Sequence, residues 1–256
     1  GRKPIILAGC LLAAVTYRPL FRALTHYANP ALDAAVNTSP VAVVADPADC
    51  SFQFDPIGKT QFKSSCDIAK STLAKAGVNY ANQAAAAGQI AQIKIGDSVV
   101  NSVDASKLAG PELAAAKKDA SAAITRALRT AGYPEKAAPG STNIVTVFLT
   151  LVVLMIGATA LYGPQAAALV ELFPARVRYT ALSLPYHIGT GWVGGFLPAT
   201  SFAIVAATGN IFAGLWYPVV FTGIAAVVMA LFFKETRGRD LAAESDVLPV
   251  GPEGPG

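Results

Sequence analysis

Four polar side chains stand inside stretches that are otherwise apolar: Tyr162 and Gln165 in one, Tyr186 and His187 in the next. A phenol, an amide and an imidazole in such surroundings make no nucleophile or metal set. What they can do is desolvate a small polar solute, and the imidazole, with an ordinary pKa near 6.5, can take up and release a proton at working pH. Tyr162 precedes Glu171 by nine residues, which at 1.5 Å rise per residue is about 13 Å of helix from a charged edge. Tyr186 and His187 follow Thr180 by six and seven residues, about 10 Å on the same scale. Each has a plainer reading beside the functional one. Tyr162 and Gln165 also satisfy polar groups as interhelical hydrogen bonds, and a lone histidine is often a neutral packing residue.

The elements that must position these groups are helices across a membrane. From Asn143 to Val170 no side chain is charged, a run longer than the ~20 residues that cross a hydrocarbon core. Pro4 to Leu24, Ala181 to Ala207 and Ile211 to Phe233 give three further crossings. The chain has 53% hydrophobic and 14% charged residues and a mean hydropathy of +0.46, which places it in the membrane class. Its net charge of +4 has a topological explanation, so nucleic acid is not a partner. Arg2 and Lys3, Arg176 and Arg178, and Lys234, Arg237 and Arg239 all fall at ends that alternate crossings bring to one side, while the Thr208-Gly209-Asn210 connection carries no basic residue. The positive-inside rule makes that side cytoplasmic, in a multi-pass protein of the cell inner (plasma) membrane with both termini in the cytoplasm. Residues 1–27 carry no small-residue cleavage site and do not read as a signal peptide.

Within the spans, Pro164 withdraws a backbone donor beside Gly163, which predicts a kink near mid-membrane. Gly189, Gly191, Gly194 and Gly195 give the next span a smooth face, and the Gly191 to Gly195 spacing is a small-xxx-small contact that suits either sliding or static packing. Arg18 and Arg22 interrupt the far end of the first span, as outer-leaflet anchors or as a lure for anionic solute, and Pro19 should distort that helix.

Residues 28–142 differ in character. Their Lys and Arg number 11 against 10 Asp and Glu between 30 and 142, no run reaches spanning length, and the segment is too long for an ordinary connection. Topology puts this insert in the periplasm or outside the cell. Val41 to Val44, Ser51 to Phe54 and Ile90 to Ile95 predict strands. Ser64 and Asp67 resemble a capping box opening a helix that Gly77 closes, and Pro111 opens a second with Leu113, Ile124 and Leu128 on one face and Gly132 at its end. An α+β unit follows. Cys50 and Cys66 sit where disulfides persist, and a bridge between them would close a loop worth roughly 3 kcal/mol; Cys10 lies in an apolar run as a small hydrophobe. The insert has no His and no ligand or nucleophile spacing, so the chain reads as no enzyme, with no cofactor and no metal.

Three motifs also carry a resemblance. Gly163-Pro164, Glu171-Leu172-Phe173-Pro174 and Arg176 to Arg178 resemble the tenth-to-eleventh helix junction of major facilitator superfamily transporters, with metabolite:proton symporters the nearest match. Gly1-Arg2-Lys3-Pro4 resembles the cytoplasmic loop motif before the ninth helix, and Lys234 to Arg239 the signature after the twelfth. The resemblance covers residues 1–27 and 143–240 and leaves the insert outside it. It implies an all-α polytopic fold, part of the C-terminal half of a major facilitator, with helix 9 in residues 1–27 and helices 10–12 in 143–233; the residue patterns themselves add the α+β insert at 28–142 and a disordered, Pro- and Gly-rich cytoplasmic tail at 234–256. Eight further helices of the same chain are expected upstream, among them the main coupling carboxylate. The implied activity is alternating-access transport of a small metabolite, an organic acid or osmolyte, with protons. Tyr162, Gln165, Tyr186 and His187 would line the pathway. Glu171 would face Arg2 and, with Arg176 and Arg178, form a cytoplasmic gate, against the simpler reading of those arginines as topology signals. A rival from another class is a receptor whose insert binds ligand while its helices serve as anchors.

Overall fold

The computed structural model describes residues 1–173, 177–235 and 237. Four helical runs are long and apolar enough to cross a membrane: Arg2–Ala28, Ile144–Leu172, Arg178–Thr208 and Ala213–Leu231. The chain divides into two compact units. One holds Gly1–Thr16, Val153–Phe196 and Pro218–Gly256, the other Tyr17–Val152 and Leu197–Tyr217.

The first unit is built from parts of helix α1 (Arg2–Ala28), α5 (Ile144–Leu172), α6 (Arg178–His187) and α8 (Trp216–Leu231). Glycine sets how closely α1 and α5 approach: a Cβ on Gly9 would lie 3.1 Å from Leu161 Cγ and 3.2 Å from Ala160 Cβ. Small residues at such crossings let backbones pack where lipid supplies no hydrophobic drive. Helix α5 continues through Pro164 without a break, and α1 continues through Pro19. Proline removes a single donor, and a helix in lipid holds its remaining backbone bonds because no water competes for them.

The span predicted from Ala181 to Ala207 is more than a plain helix. α6 gives way to a π-helical segment, Ile188–Gly194, and helix α7 follows over Leu197–Thr208. The Gly195 N–H is shared between the carbonyls of Thr190 at 2.9 Å and Gly191 at 3.1 Å, a bifurcated five-back and four-back pattern that widens the turn. A Cβ on Gly195 would strike the Gly191 carbonyl, whereas one on Gly191 would meet nothing within 4 Å. Gly195 is thus required by its own helix.

The second unit contains a four-stranded sheet in the order β2-β1-β3-β4, formed by β1 (Val41–Ala45), β2 (Tyr80–Ala84), β3 (Gln92–Ile95) and β4 (Ser98–Asn101). β1 runs parallel to β2 and antiparallel to β3, with Val41 opposite both Tyr80 and Ile95. Strand alternation points Val41, Val43 and Ala45 into one core with Ile93 and Ile95. Helices α3 (Ser65–Lys75) and α4 (Gly110–Thr130) supply Leu73, Ile124 and Leu128 to the same core. The Ser64 side chain caps α3 by accepting from the Asp67 N–H at 3.1 Å. Gly77 leaves that helix at φ +68° and Gly132 leaves α4 at φ +92°, conformations that favour glycine.

The sequence reading does not mark strands β2 and β4, and it departs from the structure at two further places. Residues 51–54 form no strand, because their polar groups turn to the start of α3: the Ser51 N–H and hydroxyl donate to Asp67, and Gln53 Nε2 donates to the Asp67 carbonyl at 2.8 Å. A short helix, α2 (Pro30–Thr38), follows Asn29, whose side chain accepts from Leu32 N. The chain leaves α1 and returns to α5 at adjacent points, since Asn143 N donates to the Tyr27 carbonyl at 3.0 Å and the Thr142 hydroxyl to that of Ala28 at 2.8 Å. Cys50 and Cys66 are joined, with Cα atoms 5.2 Å apart.

Candidate functional site

Charge gathers where three helices of the first unit end. The guanidinium of Arg2 lies 2.6 Å from Glu171 Oε1, and Glu171 itself is only 8% exposed. Glu235 answers from beyond α8: its carboxylate accepts from the backbone N–H of Arg2 at 2.9 Å and of Lys3 at 3.3 Å. Those N–H groups open α1 and have no partner within the helix, so the carboxylate serves as the missing cap and meets the positive end of the helix dipole. The backbone bond from Arg2 is the main reason its carboxyl is held below the ordinary range. Lys3 Nζ adds a bond to the Ala230 carbonyl at 3.0 Å. Three helix termini are therefore joined by charge-assisted contacts, each of the kind that is stronger than a neutral pair.

Arg178 is placed differently. Its Nε donates to the Phe173 carbonyl at 3.1 Å, so it caps the end of α5. Arg176 and Pro174 lie outside the described residues, as does the tail beyond Arg237. Tyr162 is 74% exposed on α5, with Gln165 half-buried one turn along. Tyr186 and His187 meet edge-on with ring centroids 5.8 Å apart and are both exposed. Among the described residues no hydrogen bond joins Tyr162 or Gln165 to Tyr186 or His187. The π-helical segment begins directly after His187, and π turns recur at functional positions in helices.

In the second unit the arginines of α1 find aromatic faces. Arg18 lies 4.5 Å over the Trp216 ring and Arg22 lies 5.6 Å over Phe212. The attraction of a cation to a ring face lowers the cost of holding it near lipid. His26 Nδ1 is 2.8 Å from Asp33 Oδ2. The second unit also grips the end of α7 and the connection after it: Tyr80 donates its hydroxyl to the Ala206 carbonyl at 2.5 Å and its N–H to that of Gly209 at 2.8 Å, Asn82 Nδ2 donates to the Ala207 carbonyl, and Ile211 N donates to Asn79 Oδ1. Burial pushes the Tyr80 phenol well above its usual range.

Glu235 and Trp216 were the residues least visible in the sequence. Glu235 belongs to the motif after the last span, but its partners lie 232 and 233 positions away. No local pattern encodes that distance.

Residues 121–246 match the family model described as "Sugar (and other) transporter". That match covers just under half of the chain and makes it similar to transporters of this family. Similar to this chain are also the glycine betaine/proline/ectoine/pipecolic acid transporter OusA of Dickeya dadantii (strain 3937), 30% identical over 37% of this chain and 19% of its own length, and the citrate-proton symporter of Salmonella typhi, 38% identical over 32% and 19%. A putative metabolite transport protein of Haemophilus influenzae is 34% identical over 38% of this chain and 22% of its own. The chain thus spans about a fifth of the length of the curated relatives it matches. No solved structure matches it.

Proposed function

We propose that this chain supplies part of the path and one gate of a secondary active transporter that moves a small metabolite, an organic acid or an osmolyte, together with protons by alternating access. The observation that carries the reading is the Arg2–Glu171 pair with Glu235 beside it. Ion pairs at helix ends hold one access state and break when the helices rock, so they bias a two-state element. Glu171, Arg2, Arg176 and Arg178 are assigned to that cytoplasmic gate. Tyr162, Gln165, Tyr186 and His187 are assigned to the solute and proton pathway, the glycines and Pro164 to the bending and packing of its helices.

The same reading sets the domains and their sides. Helices 9–12 of the superfamily run through residues 1–27 and 143–233 in the inner membrane, residues 28–142 form a periplasmic or extracellular insert, and the C-terminus is cytoplasmic. The Cys50–Cys66 bridge supports an oxidising compartment for the insert. Relatives named for citrate-proton symport and for betaine transport favour small charged or zwitterionic solutes.

The test is uptake of labelled citrate and glycine betaine by the full-length protein in vesicles, with and without a pH gradient. Gradient-driven uptake of either is expected. Binding without uptake, unaffected by the gradient, would replace the transporter with a receptor.

A further inference from the structure

Beyond the transport path, the second unit holds a cavity of about 410 Å³ beside the C-terminal ends of the two parallel strands, β1 and β2. That is the position at which open sheets with a helical crossover place ligands, outside the strand ends and under the loop that follows, and the volume lies in the range of small-molecule sites. Its walls are mostly apolar, with Val43, Ala45, Phe52 and Ala84 among them, and Asn82 contributes an amide.

Lys70 is the one charged side chain among the lining residues. It is 8% exposed, and among the described residues it has neither a hydrogen bond nor an ion pair. The carboxylate of Asp67, which favours its charge from one turn away, is already engaged by the Ser51 N–H at 2.9 Å, the Ser51 hydroxyl at 2.6 Å and Gln53 Nε2 at 3.5 Å. Burial lowers the Lys70 pKa, with Asp67 opposing. The stem of Lys70 is buried while its ammonium, which has no protein acceptor among the described residues, is left to the cavity, where an anion could pair with it.

We infer that this cavity is a binding site for a small organic carboxylate, whose anionic head pairs with Lys70 and whose apolar body lies against Val43, Ala45 and Phe52. A single cation and apolar walls suit a monoanion with a hydrocarbon body better than phosphate or a polyanion. The site is distinct from the polar residues of the spans. Its wall includes Ala207, to which Asn82 is bonded at 3.1 Å, so an occupant touches the strand that grips the end of α7.

The experiment is a fluorine NMR titration of the whole chain in detergent micelles with 4-fluorobenzoate, and with neutral 4-fluorobenzamide as the probe of equal shape. Binding of the benzoate at least tenfold tighter than of the amide is expected. Lys70→Met should erase that preference, and Ala84→Leu, on an exposed edge position that tolerates a larger side chain, should weaken the benzoate at least threefold by filling the cavity. Equal binding of both probes to the unaltered chain overturns the site. So does a preference that survives Lys70→Met, and unchanged benzoate affinity in Ala84→Leu decides against it even if the lysine variant fails to fold.

Discussion

The sheet unit and helix α5 use the same kinds of side chain to opposite ends. In the sheet, Ile93 and Leu73 are fully buried and Ile95 is 1% exposed. In α5, Ile144 is 74% exposed, Val145 69% and Phe148 62%. The apolar core of the sheet is hidden from water by the strands and helices around it, whereas α5 is apolar around its whole circumference and relies on lipid or on other helices to cover it. Exposing a core position of the sheet would thus be a defect, whereas exposed apolar side chains are the working surface of α5.

A substitution on each side should break this contrast most sharply. Ile156→Asp near the middle of α5 would place a carboxylate among the hydrocarbon, at about 2.5–3.5 kcal/mol on insertion scales at the helix centre; glycosylation-mapped insertion of that span should fall. The same-sized insult in the sheet is Leu73→Ala, expected to cost about 2–5 kcal/mol, read as faster hydrogen exchange throughout β1 and β3 with membrane insertion unchanged. Normal exchange in Leu73→Ala would mean that the sheet core does not carry its own stability.

Opening the Cys50–Cys66 bridge ranks next. A double Cys→Ala variant should lose roughly 3 kcal/mol in the chain-entropy model, confined to the sheet unit, and the loss should be matched by treating the unaltered chain with a reductant.

The charged helix ends test the contrast from the other side, because there a polar contact sits on apolar helices. Glu171→Gln removes the Arg2 ion pair while keeping shape, and exchange by the full-length protein is expected to change by several-fold with insertion intact. Unchanged exchange would reduce Arg2 and Glu171 to anchors.

The smallest effect is a pH dependence of the sheet unit. Asp46 accepts from the Gly88 and Ala48 N–H groups, bonds that hold its carboxyl below the usual range. A lowered folded-state pKa contributes stability above the unfolded value and loses it as pH falls through the folded one. Asp46→Asn should therefore flatten the decline of stability below about pH 4, measured by thermal unfolding from pH 6 to 3, and leave the neutral-pH shape unchanged.

Much of this was legible beforehand where the code is local. Apolar runs of sufficient length mark the four crossings, Ser64 and Gly77 bracket α3, and Leu113, Ile124 and Leu128 share a face of α4 by their spacing. Strand β2 was missed because Tyr80–Ala84 has one buried residue and four exposed ones, so it shows no alternation to read. Residues 51–54 misled for the opposite reason, since alternation there serves hydrogen bonds to Asp67 rather than a ladder.

Hydrophobic length, charge placement and capping residues act over a few turns of chain, and the sequence by itself determined the spans, the limits of α3 and α4 and the candidate polar residues. Tertiary structure alone decided that Glu235 caps α1, that Arg18 lies on Trp216, that Tyr80 reaches Ala206, and that the one charged side chain lining the cavity is Lys70. Those pairings join residues far apart in the chain. Their energies depend on where folding leaves a donor without a partner, which no local pattern records.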